Sequence, residues 1–185
     1  MFIPGIVISV LTFPGVIVHE LGHKYFCDRF NVKVHDVKYF RFGNPAGYVL
    51  HDIPDKFYKT FFIDIGPFIV NSAVAGTIFA LIALLGHLVK VDSGPIVWLT
   101  SFFSWIGFSI AMNAFPSHHD AKILWKESIR YLSQGNFIAI VGFPFALLIW
   151  IANILSVIWF DLIYAIGLMF AVSFVVSSVF KAIGG

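Results

Sequence analysis

His19, Glu20 and His23 form a His-Glu-x-x-His run, and those residue types at that spacing suit one kind of chemistry. On a helix, residues i and i+4 share a face, so both imidazoles can bind a single Zn²⁺ ion. Glu20 projects beside them, within reach of a water on that ion, where a carboxylate serves as general base. The pattern predicts a metal-assisted hydrolytic centre. Its setting matters as much as its spacing, because the residues from Phe2 to Val18 that lead into it are almost wholly apolar. Ionisable groups at membrane depth are costly and mark function.

Two histidines do not complete such a centre, since a catalytic zinc takes three protein ligands and leaves a position for water. Cys27 continues the His19–His23 stripe, but eight helical residues rise about 12 Å, too far for one ion to touch both ends. Asp120 is the expected third ligand. With Asp120 and Glu20 ionised, one Zn²⁺ gives a cluster of zero net charge, far cheaper near hydrocarbon than a bare dication. Ser117, three residues earlier, gives the spacing of a capping box with Asp120, and one carboxylate could serve both a helix start and a metal. His118 and His119 are the competing ligands, or partners that orient one. In the segment Asp64 to Asn71, Gly66-Pro67 frees backbone groups inside a helix and permits close helix approach. Asn71 is expected either to donate to a substrate carbonyl or to bond a neighbouring helix. Asp64 reads as a hydrated interfacial acid, with metal or proton handling as the lesser alternative.

The elements that must position these residues are membrane-grade. Hydrophobic residues are 59% of the 185 and charged ones 12%, which excludes an ordinary soluble domain. Apolar stretches at about 2–27, 60–86, 95–116, 136–159 and 162–182 each approach the roughly 20 residues that cross a hydrocarbon core. The expected fold is therefore mainly α and polytopic, with about five transmembrane helices. The opening Met-Phe-Ile-Pro lacks a basic leader and a cleavage site, so the first span is expected to be retained. Basic residues crowd the first connection (Lys24 to Lys59), the third (Lys122, Lys126, Arg130) and the C-terminus (Lys181), while the second connection has only Lys90. Five spans with the basic segments inside put the N-terminus outside and the C-terminus in the cytoplasm. Alternation at Val32, Val34, Val37 and Tyr39, a Gly43–Gly47 turn and a return at Tyr48–Leu50 predict a short β-hairpin after the first span. After the third span, Ala121, Leu124, Trp125, Ser128 and Leu132 share a face opposite Lys122, Lys126 and Arg130, predicting an interfacial amphipathic helix.

The three polar segments together resemble the site-2 protease family of intramembrane zinc metalloproteases. That family carries His-Glu-x-x-His on one span, Gly-Pro-x-x-Asn on a second and Asn-x-x-Pro-x-x-x-x-Asp-Gly on a third. Here the first motif is intact, the second has one residue too many before Asn71, and the third is one short between Asn113 and Asp120, with Ala121 in place of glycine. The resemblance covers roughly Val16 to Trp125. It implies His19, His23 and Asp120 as ligands of one Zn²⁺, Glu20 as catalytic base, and Asn71 and Asn113 near the substrate. It also implies a single membrane domain over 1–185, with a metalloprotease core of three spans at 1–133. The C-terminal helical hairpin at 134–185, nearly without charge, reads as scaffold, with Asn153 making an interhelical hydrogen bond. The expected partners are a membrane-protein or peptide substrate and the bilayer, with no nucleic acid. A homologue that binds zinc and substrate segments without cutting them, or a metal transporter, are the alternatives. Transport is disfavoured because the polar groups cluster at one end of the spans.

Overall fold

The computed structural model describes residues 5–89 and 94–184. The first residues of the expected opening span and Lys90 of the second connection lie outside them. That opening span is two helices, α1 (Gly5–Leu11) and α2 (Phe13–Arg29), which meet at Thr12 with a bend of 88°. Pro14 accounts for the break, because a continuous helix would drive its ring into the carbonyl of Val10, whereas the first turn of a new helix accepts it. The span expected at about 2–27 is this bent pair.

Two strands follow, β1 (Val34–Lys38) and β2 (Tyr48–His51). They pair antiparallel with Lys38 opposite Tyr48 and Val37 opposite Val49, and the register is irregular between Val34 and Asp36. The long α3 (Phe57–Leu88) comes next, then α4 (Pro95–Met112), α5 (His118–Ser133), α6 (Gly142–Leu155) and α7 (Phe160–Ala182). Short 3₁₀ turns at Phe137–Val141 and Ser156–Ile158 flank α6. Four helical segments, 57–88, 95–112, 137–158 and 160–182, are long and apolar enough to cross a membrane, and the bent α1–α2 pair makes a fifth if it counts as one span. Leu147, Leu148, Ile154, Phe170 and Phe174 are exposed on the outer faces of these helices. An apolar exterior of this kind fits a multi-pass membrane protein.

α3 is the axis around which the rest packs. α2 runs antiparallel to it: Asn71 bonds the carbonyl of Gly15, a side chain at Gly22 would strike Pro67, and Phe26 and Phe30 pack on Phe62 and Tyr58. Small residues at Gly22 and Gly66 permit that close approach. α4 is also antiparallel, with Phe79 against Gly107 and Phe108, and Asn71 near Ile110. Ala75, Phe79, Ile110, Ala111 and Ala165 close a core between α3, α4 and α7. The amphipathic α5 turns Ala121, Leu124 and Tyr131 into a second core with Phe57 of α3 and Ala146 and Ile149 of α6.

The two legs of the expected C-terminal hairpin take different partners. α6 packs antiparallel on α5, with Gly142 against Ser128, Trp150 beside Trp125, and Asn153 donating to the Pro116 carbonyl at 3.0 Å. α7 instead runs parallel to α3: Tyr164 meets Ser72, Val172 lies beside Gly76, and Phe180 stacks on His87. The end of α7 therefore lies beside the end of α3, away from Lys59 and the basic first connection. Hydropathy measures the length of an apolar stretch, and both α6 and α7 meet that measure, but it carries no information about direction.

Candidate metal centre

α2 presents His19 and His23 on one face, with ring centroids 5.1 Å apart. Each ring is fixed through Nδ1. That of His19 lies 2.8 Å from the Asn113 carbonyl, and that of His23 lies 2.8 Å from the Ile63 carbonyl. A carbonyl only accepts, so each Nδ1 carries the proton and donates it, and each Nε2 keeps a free lone pair. The carbonyls come from the end of α4 and the lower half of α3, so the imidazoles are oriented by two helices other than their own.

The third group arrives at the start of α5. Ser117 and Asp120 form a reciprocal capping box: the Ser117 N–H donates to Asp120 Oδ2 at 2.6 Å, and Ser117 Oγ accepts from the Asp120 N–H at 3.3 Å. That leaves Oδ1, which lies 3.6 Å from His23 Nε2. One carboxylate thus starts a helix with one oxygen and faces the histidines with the other. His19, His23 and Asp120 each offer a ligand atom, all within 4.8 Å of one another, and this group could hold a metal ion. Burial by itself raises the Asp120 carboxyl, but without a metal, protonated His23 and His19 beside it, with the Ser117 contact, hold it below the usual carboxylate range. Asp120 is thereby held as the carboxylate, the form a metal ion would need.

Glu20 is buried between the two histidines in sequence and faces a cleft of about 230 Å³ that His19 and Ser117 also line. The hairpin loop roofs it. Pro45, Ala46 and Gly47 line the same cleft, and a methyl group at Gly47 would stand 2.6 Å from Glu20 Cγ. Nothing in the sequence signals this contact, since it joins a glycine in a turn to a helix 27 residues earlier.

The remaining expected residues divide. Asn71 is fully buried and its Nδ2 reaches the carbonyls of Gly15 at 3.2 Å, Ile110 at 3.0 Å and Asn113 at 3.0 Å. Of the two roles open to it, the structure gives the bond between helices. Asn113 lines the cleft, its carbonyl meets both His19 and Asn71, and its own amide donates to Thr12 Oγ1 at 3.0 Å. His118 and His119 are exposed and outside the ligand group, the former packed against Trp150. Asp64 is buried rather than hydrated, also outside that group, and Cys27 is buried beside Val32 and Ile63.

The C-terminal helices reach the cleft as well. Asn153, Ser156 and Asp161 line the cleft together with Ser9 of α1. A signal for Asp161 exists in the sequence: an acid in an apolar stretch invites a functional explanation. No protein-family model, curated protein or solved structure matches the chain.

Proposed function

We propose that this protein is an intramembrane zinc metalloprotease that hydrolyses peptide bonds of membrane-protein substrates near the cytoplasmic face. The observation that carries the reading is the convergence of His19 and His23 of α2 with Asp120 of α5, beside a buried Glu20 on one cleft. The donor set suits zinc. Ligands held tetrahedrally at about 2.0 Å stand about 3.3 Å apart, and His23 Nε2 to Asp120 Oδ1 is 3.6 Å. Two neutral imidazoles and one carboxylate are also the donor types of hydrolytic zinc sites.

Bound there, zinc would polarise the scissile carbonyl and acidify a water molecule. The chain's own residues do the rest. Glu20 accepts the proton of the attacking water and returns it to the leaving amine nitrogen. The Asn113 and Ile63 carbonyls hold the His19 and His23 rings in the tautomer that keeps Nε2 available. The Ser117 N–H fixes the Asp120 rotamer. Asn71 ties α2, α3 and α4 together at the depth of the site, and so acts on geometry rather than on substrate.

A helical substrate hides its peptide bonds and must unwind locally before attack. β2 borders the roof of the cleft, and its outer edge is open for an extended segment to add as a strand. With the basic end of the bundle in the cytoplasm, the site faces that side and the end of α7 faces the opposite one.

The test is to purify wild type and Glu20→Gln in detergent, measure zinc, and assay cleavage of a membrane-tethered substrate. Equal zinc with activity only in wild type is the expected result. Cleavage that persists in Glu20→Gln would reject the assigned base. Equal zinc with no cleavage by either protein would favour the non-cutting alternative.

A further inference from the structure

Between Gln134 and Gly185 the only charged side chains are Asp161 and Lys181. An acid in the first turn of α7 complements the helix dipole, and on a free helix end that would suffice. Asp161 is not on a free end. It stands half-buried at the cleft that holds His19 and Glu20, which Ser9, Asn153 and Ser156 also line. Among the described residues, no lysine, arginine or histidine forms an ion pair with it.

The backbone is bent to put it there. Trp159, between α6 and α7, has φ 65° and ψ 31°, a left-handed conformation that costs a bulky residue energy. The turn redirects the chain from α5 to α3 and α4, and Phe160 and Tyr164 lock it by packing on Phe115 at 5.4 and 4.9 Å between ring centroids. Phe115 lies just past α4, two residues from Asn113, so the lock holds Asp161 at the depth of the metal centre.

We infer that Asp161, with Ser9, Asn153 and Ser156, forms a subsite that takes a cationic side chain, lysine or arginine, from the substrate segment. Asp161 has no cationic partner among the described residues to answer its charge. A carboxylate in such surroundings favours a fixed cation over a neutral side chain of equal size. The hydroxyls and the amide offer acceptors for the ammonium or guanidinium hydrogens left over. The identification of the ligand as a substrate rests on the proteolytic reading, whereas its charge preference does not.

The experiment separates the two. Fluorophore-labelled single-span peptides in micelles carry one lysine, scanned along their unwound end, and each has twins with norleucine or glutamate at that position. Binding to zinc-loaded Glu20→Gln protein is read by anisotropy. The best lysine peptide is expected to bind at least about ten-fold more tightly than its norleucine twin, a charged hydrogen bond's worth. Asp161→Asn in the same background should abolish the preference with zinc content unchanged, and Asp161→Lys should turn it toward glutamate. Equal binding of lysine and norleucine twins, or a lysine preference that survives Asp161→Asn, would overturn the subsite. The same peptides are then offered to protein with Glu20 intact. Cleavage indifferent to the lysine refutes the subsite and leaves the protease; lysine-selective binding without cleavage refutes the protease and leaves the subsite.

Discussion

Gly47→Ala is the sharpest perturbation of the proposed catalytic step that leaves the candidate metal ligands alone. Gly47 is outside the left-handed region, so alanine adopts its backbone without strain and the effect is steric. The new methyl would lie 2.6 Å from Glu20 Cγ, 2.8 Å from Oε1 and 3.0 Å from Cδ. Ordinary carbon contacts are about 3.5–4.0 Å, so the two must separate by about 1 Å. Glu20 is the partner that yields, because its side chain is flexible while the imidazoles are tied to carbonyls of α3 and the end of α4. A displacement of about 1 Å at a reacting group can cost about 100-fold in rate, or about 2.7 kcal/mol. The assay is kcat on a membrane-tethered substrate with zinc content measured on the same sample. Gly43→Ala is the control: its methyl would find nothing nearer than 3.7 Å, and activity should stay at wild-type level. Full activity in Gly47→Ala would refute the placement of the loop over the base. Loss of zinc in that variant would instead make the loop a support of the metal.

Asp120→Asn should lower zinc occupancy sharply, since it removes the only carboxylate of the ligand group, while the His118→Ala/His119→Ala double variant should keep zinc at wild-type level by metal analysis. Asn71→Ala should lower stability by about 1–3 kcal/mol in a denaturant titration, because buried carbonyls of α2 and α4 lose their donor. Variant that still folds should still bind zinc. Val49→Pro on β2 should reduce cleavage with zinc retained, and unchanged cleavage would reject the strand-addition role.

What the sequence discloses here is local. The histidine pair, the glutamate between them and the Ser117–Asp120 capping box are spacing effects within one helix turn, and all are legible before any fold is known. The β-hairpin and the amphipathic α5 follow from periods of 2 and 3.6. The misses are long-range. The 88° bend at Thr12 had a local cause in Pro14 but was masked by continuous hydrophobicity. The course of α6 and α7 depends on which partner each helix prefers, and apolar side chains at similar density do not encode that. Asn71 sits off the expected motif position, yet it reaches three carbonyls because Gly15, Ile110 and Asn113 converge around it. Asp161 was visible as an isolated charge, but its meaning depends on the left-handed turn at Trp159 that carries it to the cleft.

Zinc-edge X-ray absorption on the purified protein addresses the coordination directly. The structure predicts two imidazole nitrogens and a carboxylate oxygen at about 2.0–2.1 Å with no sulfur, and loss of one oxygen scatterer with weakened binding in Asp120→Asn. A sulfur shell at about 2.3 Å, or an unchanged spectrum in Asp120→Asn, would contradict a centre built from His19, His23 and Asp120.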